Sequence, residues 1–418
     1  MVPSGWSFKK LEEANITITD GDRGKEYPKS TEFSDSGYCL FLSAKNVSKN
    51  GFSFSETQFI SETKHKKLRK GIVNKGDIVL TTRGTVGQFA YYNAAFDYAA
   101  MRINSGMVTL NCSEAELSSD FFYALSKSSI IKKQIDSAAF GSAQPQLTVK
   151  IIKSLKLPIP PLPEQRKIAS ILGTWDKAIS TTERLIDNSK QQKKALMQQL
   201  LTGKKRLLDD SGKPFEGELQ RLSMSDLATI DKESLGKKTP DNFEFNYISL
   251  SDVETGRISK RLEKHVFDSS PSRARRIVRN GDILLATVRP NLKGFAKAEE
   301  LHDGMIASTG FSVLSPKKNV SGSYLYHYLF SCHLTGQINA LVVGSNYPAI
   351  NSSDVGGLKI YCPSYSEQQK ISSVLNNADG SIKTLEQQLA DLKQEKKALM
   401  QQLLTGKRRV TIDEAEVA

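Results

Sequence analysis

From Ile382 to Leu403 the apolar positions fall into two alternating rows, Ile382, Leu389 and Leu403 at one heptad position and Leu385, Leu392 and Leu399 at the other. This spacing predicts a long helix with a coiled-coil seam, interrupted by Lys396. An earlier stretch keeps the same seam through Ile179, Ile186 and Leu200, with Thr182 and Ser189 weakening the alternate row and Lys193 repeating the interruption. Pro163-Glu164-Gln165 gives the earlier helix a proline and an acid at its start, and Gly203 and Gly406 stand just beyond the last apolar turns, where helices stop. The later helix opens instead on Pro363-Ser364-Tyr365-Ser366-Glu367-Gln368-Gln369, a weaker start signal. Neither helix is expected to be stable alone, because helices in water rely on burial of an apolar face. The 39 residues from Glu164 to Thr202 would span about 58 Å at ~1.5 Å per residue.

The two helical arms are copies. KKALMQQLLTGK runs from Lys193 to Lys204 and again, unchanged, from Lys396 to Lys407. At the same offset of 203 residues the match extends back through Ile179 with Ile382, Asp176 with Asp379, Ile168 with Ile371 and Glu164-Gln165 with Glu367-Gln368. It reaches Leu155-Lys156 with Leu358-Lys359, Pro145 with Pro348 and Gly141-Ser142 with Gly344-Ser345. The chain is therefore a variable module followed by an arm, twice over. The expected segments are a module at 1–157, an arm at 158–205, a module at 206–360, an arm at 361–410 and a tail at 411–418. The second module leaves the end of arm one and returns the chain at the start of arm two. Because domain termini usually lie close together, the second arm should run back along the first. The fold class expected is α/β (α+β): two mixed α/β modules separated by two long helices that form an antiparallel coiled coil, pseudo-two-fold symmetric. The alternative is a pair of ordinary amphipathic helices packed within two independent domains.

Inside the modules the pattern changes period. Short apolar runs such as Tyr38 to Leu42 and Ile78 to Leu80 alternate with Gly, Asn and Ser breakers, predicting short β-strands between tight loops, with a helix from Asp120 to Ile135. Ile72-Val73-Asn74-Lys75-Gly76-Asp77-Ile78 corresponds to Ile277-Val278-Arg279-Asn280-Gly281-Asp282-Ile283, so the scaffold is kept while the surface changes. Each copy then enters a loop carrying arginine, Thr81-Thr82-Arg83-Gly84-Thr85 and Thr287-Val288-Arg289-Pro290-Asn291. Arginine can grip guanine bidentately, and Asn or Gln can do so with adenine, which makes Gln144, Gln146, Asn291 and Asn346 candidates beside Arg83 and Arg289. Tyr347, next to Asn346, and Arg23, in the turn Asp20-Gly21-Asp22-Arg23-Gly24, complete the loop candidates. Just before the two strands sit basic clusters, Lys64, Lys66, Lys67, Arg69 and Lys70 in one copy and Arg273, Arg275, Arg276 and Arg279 in the other. Their recurrence at like positions is read as two equivalent phosphate contacts. A solvated surface is the plain alternative for every one of these residues.

Composition narrows the partner. The 418 residues are 39% hydrophobic and 25% charged, with a net charge of +13, which favours a polyanion such as nucleic acid or an anionic membrane surface. The start MVPSGWSFKKLEE has no apolar signal region and no stretch approaches a spanning helix, so a soluble cytoplasmic protein is expected. Cys39, Cys112, Cys332 and Cys362 are scattered and expected to be buried thiols. His327, Cys332 and His333 crowd together without a second ligand pair, so no metal or other cofactor is implied. Phosphate-loop and dinucleotide glycine motifs are absent, as is the Asn-Pro-Pro-aromatic or Asp-Pro-Pro-aromatic tetrad with which an amino-methyltransferase holds a flipped base. Pro240-Asp241 with Glu244 lacks the lysine a nuclease would want, since Asn246 stands there. The residues alone point to a two-headed, basic, non-catalytic DNA reader on a coiled-coil spacer.

The Pro-Ser-Gly-Trp opening at Pro3 to Trp6, the Pro-Leu-Pro-Glu-Gln-Arg-Lys-Ile-Ala arm start at Pro161 to Ala169, the paired Leu-Thr-Gly-Lys arm ends and the order of module then arm carry a resemblance over nearly the whole chain. The sequence resembles the specificity subunits of type I restriction-modification systems. That resemblance implies two target-recognition domains, each reading half of an interrupted double-stranded DNA target, with the arms as spacers. It implies two modification subunits using S-adenosylmethionine to methylate adenine, and two restriction subunits using ATP, with Mg, to translocate and cut. All cofactors would sit on those partners and none on this chain. Identity between the arm ends also covers outward positions, so Gln198, Gln199, Gln401 and Gln402 are expected to dock two copies of one partner. Rival readings are a basic coiled-coil scaffold without sequence preference, and a DNA methyltransferase or nuclease with unrecognised motifs.

Overall fold

The computed structural model describes residues 3–139, 146–342 and 348–412. The chain divides into two compact units, Met1–Thr182 with Gln388–Ala418, and Glu183–Gln387. Each unit combines one variable module with half of each long helix, so the units cut across the five segments expected from the repeat.

In the first unit the strand Ser7–Lys10 pairs antiparallel with Lys156–Ile159, the strand that leads into the first long helix. Next come a four-stranded antiparallel sheet in the order Thr17–Asp20, Met107–Asn111, Ile78–Thr81, Phe89–Tyr91 and a three-stranded sheet of Phe59–Ile60, Cys39–Leu42 and Ala100–Ile103. Cys39–Leu42 and Ile78–Thr81 are apolar at nearly every position because both faces of each strand are buried. The single helix expected from Asp120 to Ile135 is two helices, Ser119–Ser126 and Ser129–Ala139. Ser126 Oγ donates to the Tyr123 carbonyl (2.7 Å), and serine competing for the backbone favours such breaks. In the second unit the same break falls between Gly322–Leu329 and Cys332–Leu341, where Ser331 Oγ caps the new helix by accepting from Leu334 N–H (3.2 Å).

The second unit otherwise repeats the first. Gln220–Ser223 pairs with Lys359–Cys362, and a four-stranded sheet runs Ala228–Ile230, Phe311–Pro316, Ile283–Ala286, Phe295–Lys297. Its second sheet gains a strand, Ala274–Ile277, which packs on Ile306–Ser308.

Both long helices contain 39 residues, Leu162–Leu200 and Tyr365–Leu403. The weaker start of the second is met by Ser364, whose Oγ accepts from Glu367 N–H (3.4 Å) while its carbonyl accepts from Gln368 N–H (2.9 Å). Within the first unit Leu403 and Leu404 join the core of Ile168 and Leu172, and Lys396 meets Asp176 at 2.5 Å. Within the second, Leu200 and Leu201 share a core with Ile371 and Leu375, and Lys193 meets Asp379 at 2.5 Å. In each case rising numbers on one helix face falling numbers on the other, so the paired halves are antiparallel. The lysines that interrupt the seam are thus held by an aspartate of the facing helix, the same contact in both units. A polar pair at a core position fixes register, as buried polar residues do in coiled coils.

The repeated Glu-Gln of each arm fastens module to helix. Gln165 is fully buried, accepting from Ser118 N–H (2.8 Å) and donating to the Pro160 carbonyl (2.9 Å). Gln368 does the same with Ser321 N–H (2.9 Å) and the Pro363 carbonyl (2.9 Å). Glu164 takes a two-armed hydrogen bond from Arg409, and Glu367 takes one from Arg206. Beyond the helices Gly406 (φ +69°) and Gly203 (φ +72°) adopt the left-handed conformation that ends a helix. A Cβ on Gly406 would meet Pro3, and one on Gly203 would meet Leu219, so each arm end is pressed against the start of the module in its own unit.

Candidate nucleic-acid interface

The same aspartate-closed turn opens the strand before each arginine loop. Asn74 N–H donates to Asp77 Oδ2 (2.8 Å) and Arg279 N–H to Asp282 Oδ2 (2.8 Å), and burial pushes both carboxyls above the usual range. Beyond the strands Thr82 donates its N–H to the Gly106 carbonyl (2.7 Å) and accepts from Leu147 N–H (3.0 Å). Thr287 makes the same bonds with Gly310 (2.8 Å) and Ile350 (2.9 Å), which equates Thr82 with Thr287. Arg83 therefore stands one residue past the shared threonine and Arg289 two. The arginines of the two loops are therefore not equivalent: Arg83 corresponds to Val288, and Arg289 to Gly84, as the match of Ile78 with Ile283 also requires. The second turn is one residue longer, running from Thr287 to Phe295 where the first runs from Thr82 to Phe89.

Each arginine loop is joined to a distant segment. With the Gln146 amide oxygen facing the guanidinium, it accepts from Arg83 Nη2 (3.0 Å) and Nε (3.2 Å), so a candidate from the middle of the module meets one from near its end. In the second module Val288 bridges to Ala349 and Arg289 N–H donates to the Pro348 carbonyl (2.7 Å). Gln144, Asn346 and Tyr347 lie outside the described residues. Asn291 is exposed on the short turn Pro290–Leu292, which borders an open groove of about 890 Å³ lined by Leu250, Glu254, Arg273, Arg289 and Leu292 among others.

The basic clusters differ in construction. In the first, Lys64, Lys66 and Lys67 lie on the helix Glu62–Lys67, capped by Ser61, and Arg69 and Lys70 follow its end; in the second, Arg275 and Arg276 lie on the strand Ala274–Ile277, with Arg273 and Arg279 on either side of it. By the match of Ile72 with Ile277, Arg69 and Lys70 stand opposite Ala274 and Arg275, whereas the helical Lys64, Lys66 and Lys67 stand opposite Ser269, Pro271 and Ser272, so the helical lysines have no basic counterpart and the two clusters are not equivalent residue by residue. Lys64 is engaged by Glu32 (3.0 Å) and Glu26 (3.5 Å), and Lys66 pairs with Glu62 (2.8 Å). Arg276 binds Asp231 (2.9 Å), Arg279 binds Glu233 (2.6 Å), and Arg275 lies over the Phe267 ring. Arg23 reaches the Ser105 carbonyl (3.2 Å). Lys67, Arg69, Lys70 and Arg273 are exposed.

The sequence reading missed Arg102. Buried in the strand Ala100–Ile103, it donates to His65 Nδ1 (3.0 Å) and to the carbonyls of His65, Leu68 and Lys70 (2.8, 2.9 and 2.7 Å), pinning the basic helix from beneath. The signal was present, an arginine within the apolar run Ala-Met-Arg-Ile. Gln198, Gln199, Gln401 and Gln402 are exposed at matching places on the two helix ends. Cys39, Cys112 and Cys362 are buried, with the Cys39 thiol pushed up to about 12, whereas Cys332 is exposed, against expectation. His327 pairs with Asn376 (2.8 Å) and His333 with the Tyr328 hydroxyl (2.8 Å). Among the described residues no helix is long and apolar enough to cross a membrane, and no His, Cys, Asp or Glu group is placed to hold a metal ion.

Two α/β modules of one design, each carried on paired halves of two long helices and each presenting a variable loop face, define a tandem recognition protein. The chain belongs to the family described as type I restriction modification DNA specificity domain, whose model matches it twice, at residues 3–189 and 218–394. It is similar to the type I restriction enzyme MjaVIII specificity subunit of Methanocaldococcus jannaschii, 24% identical over 98% of this chain and 94% of that one. The EcoKI specificity subunit of Escherichia coli K12 is 20% identical over 93% of this chain and 85% of its own. Among solved structures, the type I restriction-modification S subunit from M. genitalium shares the fold with a TM-score of 0.59, at 15% identity over 96% of each chain.

Proposed function

We propose that this chain is the non-catalytic, DNA-reading subunit of a type I restriction-modification assembly, and that each module reads one half of an interrupted target. The observation that carries this reading is the pairing of a constant frame with a changed loop face. The family model matches once per module, yet the structurally equivalent positions hold Arg83 and Gly84 in one copy and Val288 and Arg289 in the other. Arg83 with Gln146, Arg289, Asn291 and the groove residue Arg273 are the base-reading candidates, and the exposed Lys67, Arg69 and Lys70 serve the phosphates. Gln198, Gln199, Gln401 and Gln402 dock two modification subunits, which supply S-adenosylmethionine chemistry, while two restriction subunits supply ATP- and Mg-dependent translocation and cleavage.

The test is to map methylated adenines in DNA from cells carrying this chain and its modification partner, then to exchange the first module for that of another family member. A change in one half of the motif is expected. A change in both halves, or in neither, would refute the modular reading. Methyl transfer or cleavage by the purified chain alone would refute the non-catalytic role. Binding that follows salt and DNA length but not base sequence would favour a plain basic scaffold.

A further inference from the structure

The turn after Thr287 is built at a cost that its counterpart avoids. In the first module the left-handed positions are Gly84 (φ +71°) and Gly87 (φ +81°), two residues past the shared threonine and two before Phe89. In the second module the equivalent places are Arg289 (φ +50°) and Lys293 (φ +54°), two past Thr287 and two before Phe295. Glycine takes this conformation without a steric penalty, and a side chain with a Cβ does not. Non-glycine residues held there persist where the surroundings over-determine them, and they cluster at functional sites. The surroundings here do so. Pro290 is buried, Leu292 N–H donates to the Arg289 carbonyl (2.9 Å), Lys293 N–H to the Pro290 carbonyl (2.9 Å) and Phe295 N–H to the Lys293 carbonyl (2.7 Å).

The product of this clamp is Leu292, which stands 65% exposed between Asn291 and Lys293, on the rim of the groove that also holds Arg273 and Arg289. A leucine held out in water by a strained turn is an apolar probe set among cationic side chains. On a duplex, the apolar feature that distinguishes one base pair from the others in the major groove is the C5 methyl of thymine.

We propose that Leu292 reads a thymine methyl in the half-site recognised by the second module, with Arg289 and Lys293 holding the flanking polar and phosphate groups. This rests on the DNA-reading role proposed above.

The experiment uses the full chain with its modification partner and duplexes carrying the methylation-mapped target. Each thymine of the second half-site is replaced in turn by uracil, which removes only the methyl group. The wild-type chain should lose about four-fold in affinity at one position, the worth of one buried methyl. Leu292→Ala should bind the thymine and uracil duplexes equally at that position and discriminate as before elsewhere. Lys293→Gly, which relieves the left-handed strain, should melt at or above the wild-type temperature while binding the target more weakly. Indifference of the wild type to uracil throughout the half-site, a half-site without thymine, or an undiminished uracil penalty in Leu292→Ala would overturn the proposal. Failure of the wild type to prefer any sequence would instead overturn the functional reading on which it rests.

Discussion

The lysines that interrupt the helical seam provide a quantitative test of how the arms pair. Lys193 is 19% exposed and reaches Asp379 at 2.5 Å, and Lys396 is 12% exposed and reaches Asp176 at the same distance. A hydrogen bond to a charged group contributes about 1.5–3 kcal/mol net. Because Asp379 is 42% exposed, solvent screening reduces this to about 1–2 kcal/mol. Asp379→Ala also leaves a lysine in the seam without its facing partner, whereas Lys193→Met fills the position with apolar surface and leaves the aspartate to water. The aspartate deletion should therefore cost more than the lysine replacement. A double-mutant cycle on urea unfolding followed by circular dichroism should return a coupling of about 1–2 kcal/mol. With a slope of about 2 kcal/mol/M, Asp379→Ala should move the midpoint down by about 0.5–1 M. The cycle for Lys396 and Asp176 should agree, since the contact is the same. Couplings below about 0.5 kcal/mol in both cycles would show that these pairs are ordinary surface ion pairs and that register is set by the apolar rows alone.

Arg83→Ala should relax preference at one base position by about 1–3 kcal/mol, whereas Lys67→Ala should weaken binding to all sequences alike; equal effects of Arg83→Ala on target and random duplexes would remove it from base reading. Asp282 has a carboxyl raised by burial, so its charged form opposes folding and its contribution improves as pH falls through that raised value. Asp282→Asn should thus equal or exceed wild-type stability at neutral pH, with the difference shrinking in acid. His327 is held neutral, its pKa lowered first by burial. Its contribution is present above the unfolded value of about 6.5 and lost as pH falls through the lower folded value, so His327→Gln should flatten the acid side of the stability profile. Gln401→Glu should weaken assembly with the modification subunit while leaving the melting temperature of the isolated chain unchanged, and undiminished complex formation would place the docking face elsewhere.

The repeat, the two arms and their antiparallel pairing were legible in the sequence because they rest on periodicity and offset, both of which survive in a linear string. The seam rows, the Gly203 and Gly406 stops and the Glu-Gln pairs all appear at the same spacing twice. What these residues do was not legible. That Gln165 and Gln368 are fasteners, and that Lys193 and Lys396 are bound by Asp379 and Asp176, depends on contacts between residues far apart in the chain. The candidate interface shows the same division. Sequence located the arginine loops, and the match of Ile78 with Ile283 carried forward puts Arg83 opposite Val288, but that the second turn is one residue longer is seen only from the strand pairs that place Phe89 opposite Leu80 and Phe295 opposite Leu285. Residue type could not say that Lys64, Arg276 and Arg279 are engaged by carboxylates or that Lys64, Lys66 and Lys67 lie on a helix with no basic counterpart in the second module, since local charge does not determine which surface neighbours pack against it. Nor could it show that Arg289 and Lys293 occupy positions given to glycine in the other copy. Backbone conformation in a turn is imposed by the strands it joins, and those are placed by the tertiary structure.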